Sequence, residues 1–278
     1  MSELLPKAEL ERKREKLLSR LTKKYDITTQ EYLIGPLRVP FTRVTNADKV
    51  LDQVCEEVDE IEKRTGKKVP DQLMHMPYWA ELWDSAFGVG QWLVGRGLVD
   101  RRSRIAGRGL VGREPEVVGR KSDVQTDFLS PTSDPQPPIT LDLGCGMGFA
   151  GTVASILGHR VVFADIEVPA LMFAKLNSLP WTRRVSCKAL NWQTDSLAER
   201  FDLIIGADVL YERSQWECLE PFFRAHLKED GLILLGEPGR QTGDDFGDWI
   251  QDKGWQLTVV EEKVVTRERP IRLFELRK

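Results

Sequence analysis

Apolar residues recur along this chain in two rhythms, and the change from one to the other divides it. From Ala8 to Lys24 they fall at Leu10, Leu17 and Leu21 with Lys and Arg between them, which predicts a helix with one apolar face. Tyr32-Leu33-Ile34-Gly35 and Leu37-Arg38-Val39-Pro40-Phe41 predict two short strands broken at Gly-Pro. Thr45-Asn46 then offers a cap for a helix carrying Val50, Leu51, Val54, Val58 and Ile61, which Thr65-Gly66 stops. That amphipathic helix is expected to pack on a sheet or roof its cleft.

Further along, the rhythm becomes continuous apolar runs separated by helical stretches. Ile139–Leu143, Val161–Ala164, Val185–Leu190, Phe201–Ala207 and Leu232–Leu235 read as buried strands, the fourth almost wholly apolar as a central parallel strand should be. Helices are expected after Gly151, over Pro169–Leu176, from about Gln215 to Leu227 and over Phe246–Lys253, and Trp255–Val260 with Ile271–Leu276 forms a closing strand pair. Two segments stand outside both rhythms. Pro77-Tyr78-Trp79-Ala80-Glu81-Leu82-Trp83 crowds three large rings ahead of a helix that Ser85 is expected to cap, with Ala86, Val89, Leu93 and Val94 on its apolar side. Between Gly95 and Pro138 the composition changes abruptly: Gly-Arg-Gly-Leu-Val occurs at 95–99 and again at 107–111, and turn formers close the stretch. Residues 100–136 are therefore expected to be a loosely ordered insertion.

The net charge is -3, unevenly spread. Residues 1–24 carry eight Lys/Arg against four acids and residues 96–121 eight against three, so an acidic body bears two basic appendages. Such asymmetry fits either solvated tails or contact with nucleic acid or an acidic partner. No window approaches a membrane-spanning apolar length, and Met1-Ser2-Glu3-Leu4-Leu5-Pro6-Lys7 turns charged at once, so a cytoplasmic protein is the expectation. Four scattered cysteines, Cys55, Cys145, Cys187 and Cys218, form no C-x-x-C pair, and neither a metal site nor a disulfide framework is expected. His75, His159 and His226 are isolated; the latter two are expected to be structural or exposed, and His75 is left open because it borders the aromatic segment.

The candidate chemistry centres on Leu141-Asp142-Leu143-Gly144-Cys145-Gly146-Met147-Gly148-Phe149-Ala150-Gly151, a strand-to-helix turn whose glycines let backbone approach a ligand. Gly146, Gly148 and Gly151 even carry the dinucleotide spacing G-x-G-x-x-G. Asp142 separates the two ligand classes that use such a turn, because a carboxylate there repels a pyrophosphate and suits the cationic methionine end of S-adenosylmethionine. Asp165 closes the next strand about 20 residues on, where an acid grips a ribose diol in either class.

Together these residues resemble the class I, seven-stranded S-adenosylmethionine-dependent methyltransferases from about Pro77 onward. Asp142, Gly144, Gly146 and Gly148 match the first motif, Asp165 the ribose acid, and Asn191-Trp192 the strand end flanking adenine. Pro77 to Trp83 is similar to the P-Y/F-W-A-x-x-W segment of the family-16 lysine methyltransferases and their bacterial relatives, and Asp208-Val209-Leu210-Tyr211 to their D-x-x-Y/F motif. The resemblance implies a Rossmann-like α/β fold: a seven-stranded, mostly parallel sheet with helices on both faces and a reversed last strand. With the helical pattern read ahead of it, the chain is expected to divide into an N-terminal helical extension over 1–70 and a methyltransferase domain over 71–278. The resemblance also implies that Asp142, Gly144, Gly146, Gly148, Asp165, Asn191, Trp192 and Trp83 hold the cofactor, and that Asp208, Tyr211 and Trp79 form the reacting end. There Asp208 would attract an ammonium and orient the neutral amine, Tyr211 would wall the channel, and rings would face a cation.

The expected activity is protein-lysine N-methylation, with a protein as acceptor and neither nucleic acid nor membrane as partner. Two readings compete: a small-molecule amine as acceptor, and a module that binds S-adenosylmethionine with little catalysis. An oxidoreductase sharing the glycine turn comes third, disfavoured by Asp142 and the two downstream motifs.

Overall fold

In a computed structural model of the chain we describe residues 6–70, 76–95, 136–182 and 185–278. His75 and the expected insertion, save Gln136, lie outside them.

The N-terminal stretch folds as helix α1 (Lys7–Leu21), an antiparallel hairpin of β1 (Ile27–Ile34) and β2 (Leu37–Val44), and helix α2 (Ala47–Thr65). Both strands run longer than the sequence suggested, because Thr28, Thr29, Gln30 and Glu31 complete the ladder through their backbones without an apolar signal. α2 begins where expected. Asn46 accepts from the Asp48 amide at 2.9 Å, and Gly66 ends the helix in the left-handed conformation. Of its stripe only Val50 is buried. Rather than packing on the sheet, α2 leaves Val54, Val58 and Ile61 lining a groove with Tyr25, Pro77 and Trp79.

The main sheet has seven strands in the order β5-β4-β3-β6-β7-β9-β8. These are β3 (Ile139–Leu143), β4 (Arg160–Asp165), β5 (Ser186–Ala189), β6 (Phe201–Ala207), β7 (Leu227–Glu237), β8 (Gln256–Glu262) and β9 (Ile271–Arg277). β3 to β7 pair in parallel, and β9 runs antiparallel to both β7 and β8. This is the expected mostly parallel sheet with a reversed last strand. Chain order runs outward from β3 through β4 to β5 and, on the other side, from β6 to β7, so the carboxyl ends of β3 and β6 flank the point where direction reverses. Open α/β sheets bind ligands there.

One face is covered by α3 (Asp84–Gly95), α4 (Phe149–Ile156) and α5 (Val168–Ser178), the other by α6 (Trp216–His226) and α7 (Gln241–Asp252). The N-terminal elements join the first face: Leu17, Leu21, Ile34, Val39, Phe41 and Val44 are buried in the same cluster as Phe149 and Phe173. Buried Asn177, which sequence alone reads as a helix terminator, bonds the Thr42 backbone through both amide atoms and the Met147 carbonyl at 3.1 Å. It thereby pins β2 to the glycine turn. Trp92 fixes α3 to β9 through Glu275 at 2.7 Å. Ser85 does not cap α3; it is fully buried in the first helical turn against Gly236 of β7, where a Cβ on the glycine would come within 2.8 Å of the Ser85 carbonyl oxygen. Among the described residues no helix is long and apolar enough to cross a membrane, and no group of three or more His, Cys, Asp or Glu is placed to hold a metal ion.

Candidate active site

The turn after β3 lies at that reversal point, and its shape follows from positions that exclude side chains. Gly148 adopts the left-handed conformation as the cap of α4, and a Cβ there would stand 2.6 Å from that of Ala174 on α5. Gly146, also left-handed, donates its amide to Asp165 at 2.8 Å and passes beneath the Trp79 backbone. Thus Gly148 serves helix packing, while Gly146 bends the chain toward the cleft.

Two acids brace this turn from below. Asp142, 2% exposed, accepts the Gly151 amide at 2.9 Å and so closes the loop onto the first turn of α4. Asp165 accepts from Gly146 with one oxygen and from Glu167 with the other, at 2.8 and 2.9 Å. Burial pushes the Asp142 carboxyl well above the usual range and Asp165 up to about 6, against the pull of those amides. A ligand bringing positive charge or hydroxyl donors would relieve both acids, whereas a pyrophosphate would add like charge. The donor set therefore fits S-adenosylmethionine better than a dinucleotide.

Past β5, Asn191 forms a turn in which its side-chain oxygen accepts the Gln193 amide at 3.0 Å. The oxygen is thus committed to the turn. Trp192 lies beside the glycines: its ring would be 3.5 Å from a Cβ on Gly144, and Gln215 accepts its indole N–H at 3.0 Å.

The opposite wall begins where β6 ends. Asp208 is 8% exposed and is the sole described non-glycine residue with positive φ, 62°. Its amide donates to Gly236 of β7 at 2.9 Å, holding that conformation in place. Both carboxylate oxygens receive the Arg240 guanidinium, one of them at 3.0 Å. Arg240 in turn lies 6.0 Å from the Trp83 ring centroid, and Trp83 donates its indole N–H to the Tyr78 carbonyl at 3.0 Å. Beneath this pair Glu237, 2% exposed, accepts the Gly239 and Arg240 amides and the Arg272 guanidinium. Tyr211 stands half exposed, its ring edge-to-face with Tyr78 at 5.7 Å, and burial pushes its phenol upward, helped by Glu212, Tyr78, Asp165 and Asp208.

The aromatic segment divides its rings in a way sequence did not reveal. Trp79 is 7% exposed and packs against Tyr25 and Phe173, so its backbone, not its ring, borders the glycine turn. Tyr78, 51% exposed, is the ring of the pair that faces outward, whereas the family resemblance implies Trp79 at the reacting end. Cys145 sits within the turn with its thiol pushed up by burial and by Asp165 and Asp142, which suits a small filler rather than a nucleophile. His159 and His226 are buried and structural: the first bonds Thr140, and the second bridges the Phe222 carbonyl and the Leu197 amide.

The structure thus gathers Asp142, Gly144, Gly146, Gly148, Asp165 and Trp192 on one wall and Asp208, Tyr211 and Trp83 on the other. The walls touch, since a Cβ on Gly144 would meet Val209 at 2.9 Å. Sequence reasoning did not single out Arg240 or Glu237, and among the three rings of the aromatic segment it favoured Trp79 over Tyr78. The run Gly236-Glu237-Pro238-Gly239-Arg240 at the end of a central strand was the available signal for the first two.

A family model described as lysine methyltransferase matches residues 80–247 of the chain. Protein N-lysine methyltransferase METTL21A from Xenopus tropicalis is 33% identical over 114 residues, 38% of this chain and 52% of that protein. Protein-lysine N-methyltransferase rrg1 from Schizosaccharomyces pombe is 32% identical over 117 residues, 37% of this chain and 39% of that protein. The match therefore spans about half or less of these curated relatives. Among solved structures, magnesium protoporphyrin IX methyltransferase from Synechocystis PCC 6803 superposes with a TM-score of 0.48 at 14% identity, over 84% of this chain and 97% of that one.

Proposed function

We infer, from the premise that this chain belongs to the lysine methyltransferase family, that it transfers a methyl group from S-adenosylmethionine to the side-chain amine of a protein lysine. The observation that carries this reading is the contact of the two walls, Gly144 against Val209. It brings the glycine turn and the Asp208-to-Tyr211 segment to one point above the sheet.

In this proposal Asp142, Gly144, Gly146, Gly148, Asp165, Trp192 and Trp83 hold S-adenosylmethionine, with Asp165 on the ribose and Asn191 beside the adenine. When bound, the cofactor supplies a sulfonium methyl whose C–S bond breaks in line as the amine nitrogen forms the new C–N bond. The chain's task is to present a neutral amine along that axis, so positioning and exclusion of water do most of the catalysis. Asp208 accepts one amine N–H and fixes the direction of the lone pair. Tyr78 and Tyr211, two half-exposed rings in contact, wall the path by which an alkyl amine chain reaches it, with Trp79 behind them in the core.

The test is to incubate the purified protein with methyl-labelled S-adenosylmethionine in a lysate of its own host, beside an Asp208→Ala control. Label in a discrete protein band, stable to mild base and nuclease and absent from the control, is the expected result, and mass spectrometry of that band identifies the lysine. Label confined to small molecules or nucleic acid would overturn the protein acceptor and leave the cofactor reading in place.

A further inference from the structure

The acid at the reacting end raises a chemical difficulty that its partner answers. A lysine amine has an ordinary pKa near ~10.4 and must lose a proton before it can attack. A lone carboxylate beside it favours the ammonium and raises that pKa, by about one unit or more at contact distance. Asp208 alone would therefore bind the acceptor in its unreactive form.

In the structure Asp208 is not alone. Arg240 engages both of its oxygens, and a carboxylate so bound keeps a further acceptor direction on each. A guanidinium stays charged at any working pH, and the Asp208 contact strengthens Arg240's own hold on its proton. The arginine is held from three sides: by Asp208, by the Trp83 ring, and through its backbone amide by Glu237, which Arg272 secures. The other titratable or charged groups near this place are Tyr211 and Glu212 on the β6 loop, Tyr78 on the aromatic segment, Asp165 at the end of β4, Glu237 at the end of β7, and Arg272 on β9. Arg272 donates to the Arg240 carbonyl at 2.9 Å, but its charge is met by Glu237 and Asp244.

We propose that Arg240 is a positioning residue that offsets the charge of Asp208, so that the carboxylate can orient the acceptor amine without holding its proton. The proposal rests on the lysine-methylation reading above and adds a residue to it. It assigns Arg240 no contact with the methyl group. Arg240 acts through Asp208, and its removal leaves a buried carboxylate uncompensated.

The test compares wild type, Arg240→Gln and Arg240→Lys, using as acceptor the protein band that the wild type labels in host lysate. With Arg240→Gln, the alkaline-rising limb of the rate profile is expected to move up by about one pH unit. Half-saturation should come at a lower lysate concentration, because the ammonium binds better, and Arg240→Lys should fall between. Affinity for S-adenosylmethionine should stay within about twofold, which marks an intact cofactor wall. A substrate-free measurement accompanies this. Arg240→Gln should lower the melting temperature, and adding Asp208→Asn, which removes the uncompensated charge and keeps the side-chain shape, should restore most of the loss.

Superimposable pH–rate profiles for wild type and Arg240→Gln would overturn the proposal while leaving lysine methylation standing. A double variant Arg240→Gln with Asp208→Asn that melts no higher than Arg240→Gln alone would overturn the charge compensation itself. If the wild type labels no protein, the lysine reading falls and this proposal falls with it. A variant that loses S-adenosylmethionine binding would make Arg240 a structural support of the cofactor wall, which also contradicts the proposal.

Discussion

On the β3–β4 side of the cleft the acids are met by backbone amides: Asp142 by Gly151, and Asp165 by Gly146 and Glu167. On the β6–β7 side they are met by guanidinium groups, Asp208 by Arg240 and Glu237 by Arg272. Amide dipoles only partly offset a buried charge, which is why burial lifts both carboxyls of the first side. Guanidinium pairing sets a whole opposite charge against each acid of the second side. The first side is thus left for an incoming ligand to complete with positive charge or hydroxyl donors, while the second is nearly neutral beforehand and selects by shape and direction.

The sharpest test of that difference is Asp208→Ala. Methyl transfer should fall by about 100-fold or more, as expected for a group acting on the reacting atoms, while S-adenosylmethionine affinity measured by calorimetry changes little. Equal loss of both would erase the distinction between the two sides.

Next in size is Asp165→Asn, expected to weaken S-adenosylmethionine binding by roughly 10- to 100-fold, the range of a hydrogen bond to a charged acceptor. The wild type should show its own titration, because the ribose donors need the ionised carboxylate. Binding should therefore weaken as pH falls through about 6. Stability of the unliganded protein runs the other way. A carboxyl whose folded pKa lies above its unfolded one contributes stability below the unfolded value and loses it as pH rises through about 6. Melting curves with and without ligand at pH 5 and 7.5 would expose the opposed slopes, and Asp165→Asn should flatten both.

A smaller effect is expected at Gly151→Ala, whose new Cβ would lie 2.4 Å from the Phe163 ring and 2.5 Å from the Asp142 carboxylate. Overpacking of this kind costs about 1–3 kcal/mol of folding stability, read by chemical denaturation. Smallest is the contact between Tyr78 and Tyr211. A double-mutant cycle on the acceptor's half-saturation should give a coupling of about 0.5–1.5 kcal/mol, and zero coupling would remove the aromatic pair from the acceptor path.

The two sides were also unequally legible. Glycines at fixed offsets and an acid closing the next strand are local patterns, so the sequence located Asp142, Gly146 and Asp165 by number. The strands β3 and β6 match their expected limits because buried parallel strands are uninterrupted apolar runs. By contrast β7 begins at Leu227, ahead of Lys228-Glu229-Asp230-Gly231, which looks like a turn but continues the strand through a register shift against β6. Arg240 was invisible as a partner because 32 residues separate it from Asp208 and only the sheet brings their loops together. Tyr78 and Trp79 illustrate a further limit. Adjacent rings in a short 3-10 turn point to opposite sides, and a motif string does not say which faces the cleft.

Cys145 has a practical bearing on chemical modification of this protein. Thiol reagents attack the thiolate, and a sulfhydryl lodged in the turn beside Asp142 and Asp165 offers very little of it at neutral pH. Cys55 stands exposed on α2. A brief pulse of alkylating agent would therefore label Cys55 on α2 ahead of Cys145 and leave the glycine turn unmodified.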